Sequence, residues 1–136
     1  MNEHILAIVE LLQKDQRYHL EGYQFVREAL AYAQKVMKMP ATNEEGAEEK
    51  QDHHLTGQQL CHAIKEYALE QYGFMAKTVL NSWGIFNTGD FGEIVYNLIR
   101  VKEMRKSKSD RREDFDNQYI FEEAFEPKFE LAKDAG

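Results

Sequence analysis

The chain has 136 residues, of which 43% are hydrophobic and 12% aromatic, enough for one domain with a real core and too apolar for a wholly disordered polymer. Its formal charge of −7 disfavours general attraction to nucleic acid or anionic lipid, and its single cysteine, Cys61, excludes an intrachain disulfide. A lone cysteine fits a reducing, cytoplasmic setting; no run approaches the roughly 18 apolar residues of a membrane-spanning helix, and the first residues lack the basic start of a signal peptide.

Residues 3–14 carry Ile5, Leu6, Ile8, Val9, Leu11 and Leu12, a density that predicts a well-buried helix. Tyr18–Gly22 interrupts the pattern. Phe25, Val26, Ala29, Leu30, Ala33, Val36 and Met37 then recur at helical spacing, predicting an amphipathic helix over 23–38 that Pro40 closes. Residues 1–40 therefore read as a helical hairpin. Residues 41–52 (ATNEEGAEEKQD) hold five acidic side chains against one lysine and no large apolar residue, so 41–53 is expected to be a mobile acidic loop. It leads to a C-terminal helical unit and arm over 54–128.

From Leu55 to Asp116 the pattern predicts three helices separated by glycine-marked turns. Thr56 and Gln59 fit a capping box, Leu60, Ile64, Tyr67, Ala68 and Tyr72 form a stripe, and Gly73 stands at the C-cap. Met75–Trp83 reads as a short second helix stopped by Gly84. Thr88 or Asp90 is expected to cap the third, with Glu93 completing a box with Asp90. Ile94, Val95, Leu98, Ile99 and Val101 supply its buried face. Val79–Leu80 and Ile94–Tyr96 also fit short strands, but the surrounding caps and glycines favour helix. Lys102–Arg112 has six basic residues against two acidic ones. Phe115, Tyr119, Phe121 and Phe125 follow as an aromatic arm expected to pack back on the body. The fold class is therefore all-α: a single compact domain of five to six helices with an acidic loop and a C-terminal aromatic arm.

Several constellations could carry chemistry. His53, His54, Cys61 and His62 fall close together, and His62, Glu66 and Glu70 share one helical face, where an imidazole and a carboxylate one turn apart can hold a divalent metal. The spacing matches neither H-E-x-x-H nor a paired C-x-x-C, so a polar surface face is the stronger reading. A metal-dependent or small-ligand enzyme using His53, His54, His62 and Glu66 stands as an alternative. Cys61 reads as a small buried filler, because its neighbour His62 points about 100° away around the helix and cannot serve as its base. No catalytic residue, metal or cofactor is assigned.

Lys102, Arg105, Lys106, Lys108, Arg111 and Arg112 support a second alternative, a nucleic-acid-binding regulator. The helix–Gly73–helix order also invites comparison with a helix-turn-helix. Its would-be reading helix, FMAKTVLNSWG, lacks arginine and sits in an acidic chain, which disfavours that alternative. Asp110, Arg111, Arg112 and Asp114 are expected to form a solvated, salt-bridged turn, each pair worth at most about 1 kcal/mol.

Tyr67, Tyr72, Phe74, Trp83, Phe86, Phe91 and Tyr96 are read mainly as core. Trp83 or Phe86, if exposed beside the Asn87–Phe91 turn, would anchor a partner. The leading reading is thus a non-enzymatic cytoplasmic interaction module. Its protein-binding surface would combine Trp83, Phe86, Asp90 and Phe91 with Arg111, Arg112 and Asp114 of the arm. Homodimerisation through an uncovered aromatic patch is a further alternative.

The run HLTGQQLCHAIKEYALEQYGFMAKTVLNSWGI, followed by TGDFGEIVYNLI, MRKS…DRREDF and YIFEEAF and preceded by YQFVREALAYA, resembles an uncharacterised family. These are conserved hypothetical bacterial proteins, found chiefly in planctomycetes, verrucomicrobia and myxobacteria. The resemblance covers most of the chain apart from the acidic loop and the last few residues, which marks that loop as a variable insertion. It brings no activity, ligand or catalytic residue to transfer.

Overall fold

Side-chain caps set the starts of two of the helices. In the computed structural model, which describes residues 3–37, 55–106 and 110–125, Thr56 is the N-cap of a helix over Gly57–Tyr72. Its capping box is complete: Thr56 Oγ1 accepts from the Gln59 N–H at 3.0 Å, and the Gln59 side chain accepts from the Thr56 N–H at 3.0 Å. Two donors that no helical carbonyl can reach are thereby satisfied. The acidic segment 41–53, with His53 and His54, and Lys108 of the basic stretch lie outside the described residues.

In chain order the helices are α1 (Glu3–Lys14), α2 (Leu20–Lys35), α3 (Gly57–Tyr72), α4 (Ala76–Ser82), α5 (Thr88–Arg100) and a one-turn α6 (Phe121–Ala124). Short 3-10 turns cover Gly73–Met75 and Arg112–Phe115, and no strand occurs among the described residues. The fold is all-α, and Val79–Leu80 and Ile94–Tyr96 are helical. No helix among the described residues is long and apolar enough to cross a membrane.

The amphipathic stripes meet as their spacing predicts, except that α2 starts at Leu20 rather than Tyr23 and ends at Lys35, which leaves Val36, expected in its buried stripe, 60% exposed. Tyr23, Phe25, Val26, Ala29 and Ala33 of α2 pack on Leu60, Ala63, Ile64 and Ala68 of α3 and on Ile94, Val95 and Leu98 of α5. Ala29, Ala33, Ala63 and Ala68 are all fully buried, and side chains this small suit a close helix–helix contact. Phe115, Phe121 and Phe125 of the arm are buried in the same core, with Phe121 set edge-on to Phe125 at 5.0 Å between ring centroids. Tyr119 Oη donates to the Cys61 carbonyl of α3 at 2.7 Å, so the arm is tied to the body by a hydrogen bond as well as by packing.

Three further expectations are corrected. The first concerns α1, which is not well buried: Leu11 faces the core, while Ile5, Leu6 and Val9 are 49%, 47% and 40% exposed. Apolar residues cover more faces of α1 than its neighbours, the start of α2 and the end of α5, can cover. The N-cap of α5 is also different, being Asn87 rather than Thr88 or Asp90. Extended backbone at Asn87 (φ −156°, ψ 172°) places its side-chain oxygen 2.9 Å from the Asp90 N–H, and Asp90, not Glu93, completes the box. Thr88 is thereby drawn into the helix and buried. Lastly, Phe74 stands exposed on the 3-10 turn, because Gly73 adopts φ +54° with ψ −132° instead of the left-handed cap and redirects the chain.

One buried side-chain polar atom has no hydrogen-bond partner among the described residues, the Oη of Tyr96 on α5. Burial, reinforced by the carboxylates of Asp110, Asp114 and Glu113, holds this phenol above its usual pKa, so it is neutral throughout the working range. An unmatched buried hydroxyl is a net loss. Tyr96→Phe is expected to leave stability unchanged or raise it by about 1 kcal/mol in urea denaturation. A loss of about 1 kcal/mol or more would show that the hydroxyl is bonded after all.

Candidate functional site

The two stretches that folding explains least in the sequence, the turn around residues 83–91 and the arm 110–116, come together at the start of α5. Glycine makes this possible. A Cβ built on Gly92 would lie 2.9 Å from Phe115 Cβ, and one on Gly57 at the start of α3 would lie 2.8 Å from Asp114 Cβ. The 3-10 turn Arg112–Phe115 therefore beds directly on the backbones of α3 and α5.

Charge pairing holds the same contact. Arg112 Nε donates to Glu93 Oε2 at 2.6 Å and its Nη1 to Asp116 Oδ1 at 2.7 Å. The other Glu93 oxygen accepts from Arg17 Nη2 at 3.0 Å, and Arg17 in turn binds Asp15 at 2.6 Å. Asp15 also accepts from the buried Asn97 Nδ2 at 2.9 Å, and Asn97 Oδ1 accepts from Arg100. One ladder of pairs thus links the α1–α2 corner, α5 and the arm. The arm is not the fully solvated turn expected from Asp110, Arg111, Arg112 and Asp114. Arg112 turns inward to Glu93, Arg111 remains exposed, and Asp114 accepts from the Arg111 N–H at 3.1 Å.

The Arg112 hydrogen bond is the main reason the Glu93 carboxyl titrates below its usual range, with Arg17 adding to it and burial opposing. A carboxyl depressed in the folded state contributes stability that is present above its ordinary pKa of 4.5 and is lost as pH falls through the folded value. Glu93→Gln is therefore expected to lower stability at neutral pH and to flatten its decline in acid, measured by urea denaturation as pH falls below 4.5. An acid limb as steep as that of the native chain would remove Glu93 from this role.

The turn distributes its aromatics unequally. Phe91 is fully buried, 5.7 Å from Phe121 between centroids, and Trp83 is half-buried between Phe25 and Tyr72 at 5.5 and 6.0 Å. Phe91 is thus a core residue and presents nothing to a partner. Asp90 accepts from Tyr18 Oη at 2.6 Å and from the Phe86 N–H at 2.8 Å, which makes it a brace of the turn. Phe86 alone of these four points outward, 60% exposed.

Ile120, immediately before α6, is likewise exposed, at 57%. Both line one groove of about 590 Å³ whose walls are Phe86–Gly89, Asp116–Asn117 and Tyr119–Glu122, with Arg112 in the lining. Its walls are fixed from behind: the Gln118 N–H donates to the buried Thr88 Oγ1 at 3.1 Å, and Glu122 pairs with Lys77 of α4 at 3.5 Å. Ile120, Asn87 and Asn117 were not singled out by the sequence. A signal for Ile120 exists in Tyr119–Ile120–Phe121, since three consecutive apolar residues entering a helix cannot all face one core.

The remaining constellations are placed differently. His62 is exposed on α3 and Glu66 half-buried, and among the described residues no three His, Cys, Asp or Glu side chains gather as a metal site. Cys61 is fully buried, and burial pushes its thiol up to about 12, which leaves it a protonated filler. In the basic stretch Lys102, Arg105 and Lys106 are exposed, whereas Arg112 is engaged by Glu93 and Asp116 and Glu103 binds Arg27 at 3.3 Å. On α4, Lys77 binds Glu122 and Ser82 Oγ donates to the Val79 carbonyl at 2.6 Å. Comparison of the chain with protein-family models, with curated proteins and with solved structures finds no match in any of the three.

Proposed function

We propose that the chain is a non-enzymatic, cytoplasmic interaction module that receives a protein partner in the groove between the start of α5 and the arm. The observation that carries this reading is the pair Phe86 and Ile120, two large apolar side chains left exposed in the lining of one groove. Neither is needed to fill the core. Burying a side chain of this kind is worth about 1.5–3 kcal/mol, the range of an interface anchor. The walls are already held by the Thr88–Gln118 and Arg112–Asp116 contacts, so little ordering opposes association.

A photo-crosslinking amino acid placed at Phe86, and separately at Ile120, is expected to trap the same partner from cells of the source organism. Phe86→Ala with Ile120→Ser should then weaken binding of that purified partner about 10- to 100-fold, with the folding midpoint unchanged within about 2 °C. Equal affinity of the double variant and the native chain would defeat the proposal.

A further inference from the structure

We infer, on the basis of the groove reading above, that its occupant is an extended, uncharged segment of a partner chain with an apolar side chain held against Phe86 and Ile120. Charge argues for the first half of this description. The charged side chains of the lining are already matched within the protein, Arg112 by Glu93 and Asp116 and Glu122 by Lys77. A charged group entering the groove would leave water and find each opposite charge already paired. An uncharged segment avoids that penalty.

Hydrogen-bonding capacity argues for the second half. The two walls carry a carboxamide each, Asn87 on one side and Asn117 on the other. Asn87 uses its side-chain oxygen to cap α5 and keeps its NH2 as a donor, while the Asn117 carboxamide offers a donor and an acceptor. These groups match the backbone amides of an extended chain, which presents N–H, C=O and alternate side chains together. A helical segment has satisfied most of its backbone groups internally and would cover the carboxamides without bonding them. A purely aliphatic ligand would do the same.

The test is selection of displayed random dodecapeptides against the full chain, followed by titration of the enriched peptides. Enriched sequences are expected to share an uncharged core with a large apolar residue and to lack helical periodicity. Their affinity should fall about tenfold or more in Phe86→Ala, and also in Asn117→Asp. Asn87→Asp should weaken them too, because aspartate preserves the helix cap while surrendering the NH2 donor. Enrichment of acidic or basic motifs, an i, i+4 apolar pattern, no enrichment, or affinities indifferent to Phe86 would each overturn the inference. Self-association of the chain through Phe86 without peptide binding would overturn it in favour of a second copy as occupant. A partner trapped at Phe86 through a folded surface sinks this inference and leaves the interaction module standing, whereas no adduct at Phe86 or Ile120 sinks both.

Discussion

Gly84→Ala is expected to destabilise the protein by about 3 kcal/mol or more, a fall of roughly 10 °C in Tm. Gly84 holds φ +92°, and a Cβ built there would lie 2.0 Å from the backbone oxygen of Arg17. No rotamer change relieves a clash with backbone. The chain at 15–19 would have to lift away, breaking the hydrogen bond from the His19 N–H to the Trp83 carbonyl at 3.1 Å. The pairs of Arg17 with Glu93 and of Asp15 with Asn97 would go with it, since both are made from that corner. Thermal and urea denaturation both report the change, and a loss below about 1 kcal/mol would mean that the corner moves freely and does not hold α1 to α5.

A second large effect separates two phenylalanines on one turn. Phe91→Ala is expected to cost about 3–5 kcal/mol of stability, because it opens a cavity beside Phe121, while Phe86→Ala stays within about 0.5 kcal/mol. Phe91 is fully buried and Phe86 is 60% exposed, so the deleted atoms leave the core in one case and water in the other. In partner binding the order reverses: Phe86→Ala removes an anchor, whereas Phe91 touches nothing outside. Equal stability losses in the two variants would show that Phe86 packs against the body and would withdraw it from the binding surface.

The contrast shows what the order of residues can and cannot convey. Both phenylalanines sit among glycines and polar residues near a helix start. What distinguishes them is Phe121, which lies on a different element and whose ring sits 5.7 Å from that of Phe91. Arg112 behaves likewise. In sequence it is one of six cations between 102 and 112, and only the approach of Glu93 from α5 turns it inward, out of the exposed set on which nucleic-acid binding would rely. Ile120 and Asn117 belong to a groove that exists because the arm crosses the start of α5, and neither stretch encodes that crossing locally. The α5 cap was legible only as a neighbourhood: Thr88 and Asp90, one and three residues beyond the true cap, have the same cap chemistry as Asn87, and the extended backbone at Asn87 decides among them.

From its sequence alone, this protein's all-α class follows, as do the Thr56–Gln59 cap, the buried stripes of α2, α3 and α5 and the return of the aromatic arm to the core. These features rest on interactions between residues three or four apart, or on an apolar periodicity that any covering neighbour satisfies. The tertiary structure decided which faces of α1 remain uncovered, which aromatics of the turn are core, where Arg112 points and that Phe86 and Ile120 line one groove. Those outcomes depend on contacts between elements distant in the chain, and the physical quantity that settles them is the fit of one surface on another.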